Sequence, residues 1–172
     1  MKDNNIKDNI VLIGMPGVGK STLGVILAKI LGYRFLDADL VIQEREGKLL
    51  REIIAEKGVE GFMAVENEVN ASLDCNRTII ATGGSVVYGK EAMEHLKKIG
   101  EVIYLKANFE DIDKRLSNLQ GRGVVLKDGQ NLKMLYEERT PLYEKYADHI
   151  IDETGCDIEE TVKKILNRFQ KI

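Results

Sequence analysis

The sequence predicts an α/β protein, a three-layer α/β/α sandwich with a central five-stranded parallel sheet. Two observations support this prediction. Short apolar segments rich in β-branched residues alternate along the chain with longer segments in which apolar residues recur at helical spacing. The short segments are continuous apolar runs, which is typical of parallel strands that helices cover on both faces.

The N-terminal half begins with a buried strand at residues 10–14. A helix is predicted at residues 21–31, because apolar residues lie along one face and Gly32 provides a stop. Residues 33–36 form a second short strand that ends at Asp37. Three more helices are expected, with glycines near the ends of the first two, at residues 40–45, 49–57 and 60–73.

The C-terminal half continues the alternation. Strands are predicted at residues 78–81, 102–105 and 149–151, and helices at residues 90–98, 111–116, 132–146 and 158–169. We expect Pro141 to break or kink the helix that contains it. Residues 117–131 hold three glycines among polar residues, and a long irregular loop of this kind predicts a flexible lid.

Length and composition indicate a single domain of residues 1–172. The net charge of −3, without a long basic run, argues against nucleic acid as a partner. No apolar stretch reaches the roughly 20 residues that span a bilayer, and the polar N-terminus does not resemble a signal peptide. We therefore expect a cytoplasmic monomer that binds no membrane, with Cys75 and Cys156 as free thiols.

A glycine-rich motif connects the first strand to the first helix. Residues 14–21 match the pattern G-x-x-x-x-G-K-[ST] at every fixed position. The backbone N–H groups of such a loop and the N-terminus of the following helix bind phosphates. Lys20 is expected to reach the outer phosphates, and the Ser21 hydroxyl to bind Mg²⁺. The residues predicted to bind ATP here are Gly14, Gly17, Val18, Gly19, Lys20, Ser21 and Thr22.

Two acidic residues follow the second strand. Many P-loop proteins place a magnesium-binding aspartate at the end of a later strand, but residues 78–81 lead into Thr82-Gly83-Gly84. Asp37 and Asp39 offer carboxylates at the sheet edge where ligands bind in open α/β folds. In an extended chain they point the same way, so one could hold Mg²⁺ and the other could accept the proton of a hydroxyl. The alternative is that one of them only caps the next helix.

Further motifs accompany the phosphate loop and cover nearly the whole chain. They are Phe35-x-Asp37-x-Asp39, Gly58-x-x-x-Phe62-x-x-x-Glu66, Thr82-Gly83-Gly84, an arginine in the lid region, and Arg139-x-Pro141-Leu142-Tyr143 followed by Ala147-Asp148. With them the chain resembles the shikimate kinase family, whose fold is like that of nucleoside monophosphate kinases. The resemblance implies that the protein uses ATP and Mg²⁺ to phosphorylate a ring hydroxyl of shikimate, a small-molecule acceptor.

The resemblance also implies roles for individual residues. The implied catalytic residues are Lys20, Asp39 and Arg122. Asp37 would hold Mg²⁺ through water together with Ser21, Arg115 would pack on the adenine of ATP, and the lid would bring Arg122 to the transferring phosphoryl group. The implied acceptor-binding residues, among which Arg139 would bind the carboxylate, are Asp39, Met63, Glu66, Gly83, Gly84 and Arg139.

Plainer interpretations of these residues stay open at the level of sequence. Arg139 lies next to two glutamates and could form a surface ion pair of little energetic value. Arg122 could be a solvated loop residue and Arg115 could lie in solvent on its helix. Gly83 and Gly84 could form an ordinary tight turn.

The chain departs from the family pattern at three places. The arginine of G-E-x-x-F-R-x-x-E, which binds the substrate carboxylate in the family, is replaced by Met63, and the first glutamate of that motif by Val59. The run of three glycines ends in Ser85, and the lid reads Arg122-Gly123-Val124-Val125 where the family has R-P-L-L. A thioether cannot replace the charge-assisted hydrogen bonds of a guanidinium. Losing that contact is expected to weaken binding about ten- to a hundredfold.

Glu66 is the glutamate that braces the missing arginine in the family. Because a buried carboxylate without a cation is costly, we hypothesise that the acceptor carries an amino group that pairs with Glu66 or Asp39. Homoserine, threonine or serine would fit. The alternative is that a nearby lysine or arginine pairs with Glu66.

The motifs therefore favour an ATP-dependent small-molecule kinase with shikimate as the first expected acceptor. A kinase of a hydroxy amino acid is one alternative, and a non-catalytic nucleotide-binding module is another. The second alternative requires only the phosphate loop, so the presence of Asp37, Asp39, Arg122 and Arg139 argues against it.

Overall fold

The computed structural model describes residues 7–117, 124 and 126–169. Within them, five strands alternate with seven α-helices. The strands are β1 (Asn9–Ile13), β2 (Arg34–Asp37), β3 (Thr78–Ala81), β4 (Gly100–Lys106) and β5 (His149–Asp152). The helices are α1 (Lys20–Leu31), α2 (Ala38–Glu46), α3 (Leu50–Ala71), α4 (Lys90–Ile99), α5 (Phe109–Ser117), α6 (Leu132–Tyr146) and α7 (Ile158–Phe169), and a 3₁₀-helix spans Val86–Tyr88.

The five strands form one sheet in the order β2-β3-β1-β4-β5. Each neighbouring pair is parallel, and Val11 of the central strand aligns with Ile80 of β3 and Val102 of β4. Every residue of β1 and β3 is buried, which explains why their continuous apolar runs predict strands of a parallel sheet. The predicted α/β/α architecture with five parallel strands is confirmed.

The carboxyl ends of β1, β2 and β3 meet at one edge of the sheet, because the three strands are parallel and adjacent. The backbone N–H and the side-chain hydroxyl of Thr82 both donate to the carbonyl of Leu12, at 3.2 and 2.8 Å. These bonds tie the loop after β3 to the end of β1. Ligands of open α/β sheets bind at this edge.

A second, smaller apolar cluster lies away from the sheet. It is formed by Ile42 of α2 and by Ile53, Phe62 and Val69 of α3, all of them buried. The cluster packs α2 and α3 against each other, so the two helices form one wall beside the sheet edge.

Two details of the helices differ from the sequence-based prediction or refine it. The segments predicted as residues 49–57 and 60–73 are the two parts of α3, which meet in a kink at Gly58, where φ is 73° and ψ is 178°. The interruption predicted at this glycine is therefore confirmed. Of the two outcomes expected at Pro141, a break or a kink, the helix does not break, because α6 runs through this residue to Tyr146. Buried side chains on both sides of the proline, Arg139 and Tyr143, hold the helix on the core.

Membrane insertion can be judged for the described helices. Among them, none combines the length and the apolar character that crossing a bilayer requires.

Candidate active site

The phosphate loop connects β1 to α1. Gly14, Gly17 and Gly19 all have positive φ, which lets successive N–H groups turn toward a bound anion. The Lys20 ammonium is buried beneath the loop and donates to the carbonyls of Gly14 and Met15, at 2.7 and 2.9 Å. Burial lowers the pKa of Lys20 to about 8, against the opposing effect of the nearby Asp39 carboxylate. The ammonium therefore remains mostly protonated at neutral pH.

The hydroxyl at the start of α1 faces an aspartate at the end of β2. Ser21 Oγ donates to Asp37 Oδ2 at 2.7 Å, and the other oxygen of Asp37 accepts from the N–H of Asp39 at 3.0 Å. Asp37 thus caps α2 and faces the phosphate loop at once, so the two interpretations made from the sequence are not exclusive. Hydroxyl and carboxylate oxygens are the ligands that Mg²⁺ prefers, and this pair fits such an ion.

Asp39 lies in the first turn of α2, not in the extended segment that we expected from its spacing to Asp37. Asp37 caps α2, which begins at Ala38, two residues before the predicted start at residue 40. Both carboxylates nevertheless line the same cleft. Burial and then the charge of Asp37 raise the pKa of Asp39 to about 6, while Lys20 acts in the opposite direction.

Gly83 lies between two carboxylates. A Cβ atom built at Gly83 would collide with Glu66 Oε1 and would lie 2.9 Å from Asp39 Oδ1. A side chain at this position would therefore displace one of the two acids. The absence of a side chain lets the backbone after β3 approach Asp39 and Glu66 together.

Glu66 is a buried acid with a relative exposure of 1%. Its Oε2 accepts a hydrogen bond from the Ser85 hydroxyl, while Oε1 receives none from the described residues. Burial raises the pKa of Glu66 to about 7, and the Ser85 bond and the more distant charges of Arg139 and Lys20 only partly offset it. Ser85, the residue that interrupts the glycine run of the family, is thus the donor to Glu66.

Arg139 of α6 is buried, with a relative exposure of 2%, which rules out a surface ion pair. Its guanidinium lies 5.4 Å from the centre of the Tyr88 ring. A Cβ atom at Gly84 would lie 2.8 Å from Pro16 Cδ and 3.0 Å from Arg139 Nη1. Tyr143 donates to the Gly84 carbonyl at 2.6 Å and fixes this backbone. The backbone of Gly84 therefore lies between the phosphate loop and Arg139 and close to both.

Met63 packs against the apolar cluster of α2 and α3 and is half-buried. The position at which the family has an arginine therefore contributes to helix packing in this chain. It supplies no charge to the cleft.

Two cavities lie on the two sides of the phosphate loop and share Gly17, Gly19 and Thr22. The first has a volume of about 570 Å³ and is lined by Pro16, Gly17, Gly19, Lys20, Ser21, Thr22, Asp37, Asp39, Leu40, Gln43, Leu49, Leu50, Arg51, Thr82, Gly83 and Gly84. We call it the acceptor cleft. The second, of about 740 Å³, is lined by Val18, Arg115, Glu153 and residues at the start of α7.

Arg115 is half-buried and does not extend freely into solvent. Its guanidinium donates to Glu153 Oε1 at 2.7 Å and to the Val18 carbonyl at 3.2 Å. These bonds hold it over the second cavity, next to the phosphate loop. Arg122, predicted to be catalytic, lies outside the described residues, as do Gly123 and Val125 of the lid.

Sequence reasoning did not single out five residues that line the acceptor cleft. They come from α2 and the start of α3 and are Leu40, Gln43, Leu49, Leu50 and Arg51. No motif marks them, and only their position just after the Asp37-x-Asp39 segment and before Gly58 could have indicated them.

The parallel sheet, the phosphate loop and the carboxylates in one cleft define a P-loop phosphotransferase. A family model described as shikimate kinase matches residues 16–170. A shikimate kinase from Thermodesulfovibrio yellowstonii is 38% identical over 167 residues, which cover 95% of this chain and 96% of the relative. The chain belongs to the shikimate kinase family.

Solved structures agree with this assignment. The shikimate kinase from Acinetobacter baumannii in complex with shikimate superposes with a TM-score of 0.86 at 30% identity, over 98% of this chain and 96% of that chain. The shikimate kinase from Aquifex aeolicus gives a TM-score of 0.78 at 32% identity, over 94% and 96%. The chain is a phosphotransferase that acts on an alcohol group, and its family uses ATP as a substrate.

Proposed function

We propose that this protein transfers the γ-phosphoryl group of ATP to a hydroxyl of shikimate. The observation that carries the proposal is the acceptor cleft, in which Lys20, Ser21, Asp37 and Asp39 face Gly83. Groups suited to phosphates, to a hard cation and to an alcohol thus meet in one space. Phosphoryl transfer needs little more than this positioning and electrostatic stabilisation.

The phosphate side of the cleft would hold the triphosphate of ATP. The N–H groups of the loop and the N-terminus of α1 would bind its oxygens. Lys20 would exchange its bonds to the loop carbonyls for bonds to the outer phosphates. The second cavity, with Arg115 held by Glu153 and Val18, has the place and size for the nucleoside.

Ser21 and Asp37 would hold Mg²⁺ in this arrangement. No group of three or more His, Cys, Asp or Glu side chains in the described part of the chain is placed to hold a metal ion alone. Phosphate oxygens and water would complete the coordination, as is usual for Mg²⁺ bound with nucleotides. When bound, the ion neutralises charge on the β- and γ-phosphates.

Asp39 would accept the proton of the attacking hydroxyl. Its pKa of about 6 leaves it mostly ionised at pH 7 but close enough to the working pH to act as a base. The N–H groups of Gly83 and Gly84 and the guanidinium of Arg139 would position the acceptor beside it. Arg122 would act from the lid on the transferring group.

The test is acceptor-dependent release of ADP by the purified protein, with the phosphorylated product identified by ³¹P NMR. We expect rapid ADP release with shikimate and slow release without an acceptor. ADP release that does not depend on any acceptor would contradict the proposal and favour a nucleotide-binding module.

A hydroxy amino acid is the second candidate acceptor. It is favoured by one observation, the buried Glu66 Oε1 that no described group bonds, next to Asp39 and Gly83. An ammonium group would pair with these acids. Homoserine, threonine and serine should therefore be assayed beside shikimate, and faster turnover of one of them would displace the first proposal.

A further inference from the structure

The helical wall of the acceptor cleft contains an arginine to which the proposed function gives no role. This wall comprises the end of α2 and the start of α3, with Gln43, Leu50 and Arg51 among its residues. Of the described residues that line the cleft, Lys20 and Arg51 carry positive charge. Lys20 is bonded within the phosphate loop. Among the described residues that these helices contribute to the lining of the cleft, Arg51 is therefore the cation.

Two hydrogen bonds fix the backbone from which Arg51 projects. Gln43 Oε1 accepts from the N–H of Leu50 at 3.2 Å, and Glu52 Oε2 accepts from the N–H of Leu49 at 2.8 Å. Both bonds satisfy donors at the N-terminus of α3 that would otherwise lack a partner. The first turn of α3, and Arg51 within it, is thereby anchored to α2.

Helix stability does not explain an arginine at this position. A cation in the first turn faces the positive end of the helix dipole and is unfavourable there. The side chain is exposed, and among the described residues none forms a hydrogen bond or an ion pair with its guanidinium. Arg45, by contrast, pairs with Glu68 on the outside of the same two helices. The guanidinium of Arg51 is thus available to a ligand in the cleft.

An acceptor with a carboxylate needs a cation in this cleft, because Asp37 and Asp39 already line it. Met63 is packed in the apolar cluster and supplies none. We infer that Arg51 determines specificity by binding the carboxylate of the acceptor, together with Arg139. The inference rests on the proposed function, since it takes shikimate, a carboxylate-bearing alcohol, as the acceptor.

The test compares Arg51→Ala and Arg51→Lys with Arg45→Ala as a matched control. Loss of one charge-assisted contact is expected to raise KM for shikimate about ten- to a hundredfold in Arg51→Ala. The kcat value and KM for ATP should change by less than about twofold, since Arg51 contacts neither the reacting atoms nor the phosphate loop. Arg51→Lys keeps the charge without the fork and should give an intermediate KM. Arg45→Ala should match the unaltered protein.

The methyl ester of shikimate separates a carboxylate contact from a structural effect. Without the negative charge, Arg51→Ala and the unaltered protein should have equal KM values. Two results would overturn the role of Arg51 but not the proposed function. One is an unchanged KM for shikimate in Arg51→Ala. The other is a KM that stays raised in this variant when the ester is the substrate. Absence of shikimate turnover by the unaltered protein would instead contradict the proposed function.

Discussion

At the scale of single residues, burial moves three charged groups of the site toward neutrality. It lowers the pKa of Lys20 to about 8 and raises the pKa values of Asp39 and Glu66 to about 6 and about 7. In each case desolvation of the charged form is the largest cause. The charge of the cleft therefore changes near neutral pH, where the reference pKa values of these residues would leave it constant.

Asp39→Asn is expected to remove most phosphoryl transfer and to leave ATP binding nearly intact. Loss of a general base lowers kcat by about 10²- to 10⁴-fold. In the unaltered protein, kcat should fall as the pH is lowered through about 6, because protonated Asp39 cannot accept the hydroxyl proton. The measurements are a pH–rate profile and a calorimetric ATP titration, with the exposed Asp74→Asn as control. Loss of ATP affinity in Asp39→Asn would count against this role.

Glu66→Gln is expected to change how stability depends on pH. Because the pKa of Glu66 is raised from 4.5 to about 7, the folded state holds a proton that the unfolded state releases in this range. Stability is full below pH 4.5 and is lost as the pH rises through 7, by on the order of 3 kcal/mol. Glutamine cannot ionise and should remove this decline.

The check is the melting temperature of both proteins at pH 5.5, 7 and 8.5, values chosen at roughly even spacing around the pKa of Glu66. The exposed Glu60→Gln should behave like the unaltered protein. If the melting temperatures of Glu66→Gln and of the unaltered protein changed in parallel with pH, Glu66 would be ionised in the folded protein throughout this pH range.

Residues of the site that are contiguous in sequence could be predicted, and those that meet only in space could not. Gly14 to Thr22 form one turn whose chemistry follows from their order. The hydrogen bond from Ser85 to Glu66 joins residues 19 positions apart on different elements. Arg51 carries no local signal, since an exposed arginine at a helix start looks like any solvated side chain.

At the scale of elements, the bend of α3 determines how its two parts face the cleft. Gly58 has a backbone conformation that is almost restricted to glycine, and a Cβ atom there would meet no other atom. Leu50 and Arg51 lie before the bend, and Met63 and Glu66 lie after it. Because a Cβ atom at Gly58 would meet no other atom, the cost of replacing this glycine is one of backbone strain alone.

Gly58→Ala is expected to destabilise the protein by about 1–3 kcal/mol, which lowers the melting temperature by roughly 2–12 °C. Glu60→Ala, at an exposed position with helical backbone two residues away, should change stability by less than about 0.5 kcal/mol. Thermal unfolding followed by circular dichroism compares the two variants. Equal melting temperatures would show that α3 can straighten at no cost.

The elements themselves were largely predictable, because β1, β3 and β4 contain continuous apolar runs and helices such as α1 and α2 end at a glycine, Gly32 and Gly47. The helix does not break at Pro141, because packing on both sides of the proline overrides the local preference. The strand order is set by long-range pairing, such as Val11 with Ile80, which no local pattern encodes.

At the scale of the whole molecule, a ligand that binds only the folded chain must stabilise it. ATP with Mg²⁺ at about 100 times its Kd should add about 2.7 kcal/mol, or roughly 5–11 °C in melting temperature. Lys20→Ala should lose most of this shift and all transfer, whereas Lys29→Ala, exposed on the same helix, should keep both. An equal shift in Lys20→Ala would contradict the assignment of the phosphate side of the cleft.

The close approach at Gly84 has a consequence for how the two substrates bind. With Pro16 on one side of Gly84 and Arg139 on the other, we expect a movement of the phosphate loop to be passed on to the acceptor side. Binding of the nucleotide and binding of the acceptor should then be thermodynamically linked, and linkage is reciprocal. The factor by which ATP changes the affinity for the acceptor must equal the factor by which the acceptor changes the affinity for ATP. Titrations in either order should therefore give the same total binding free energy.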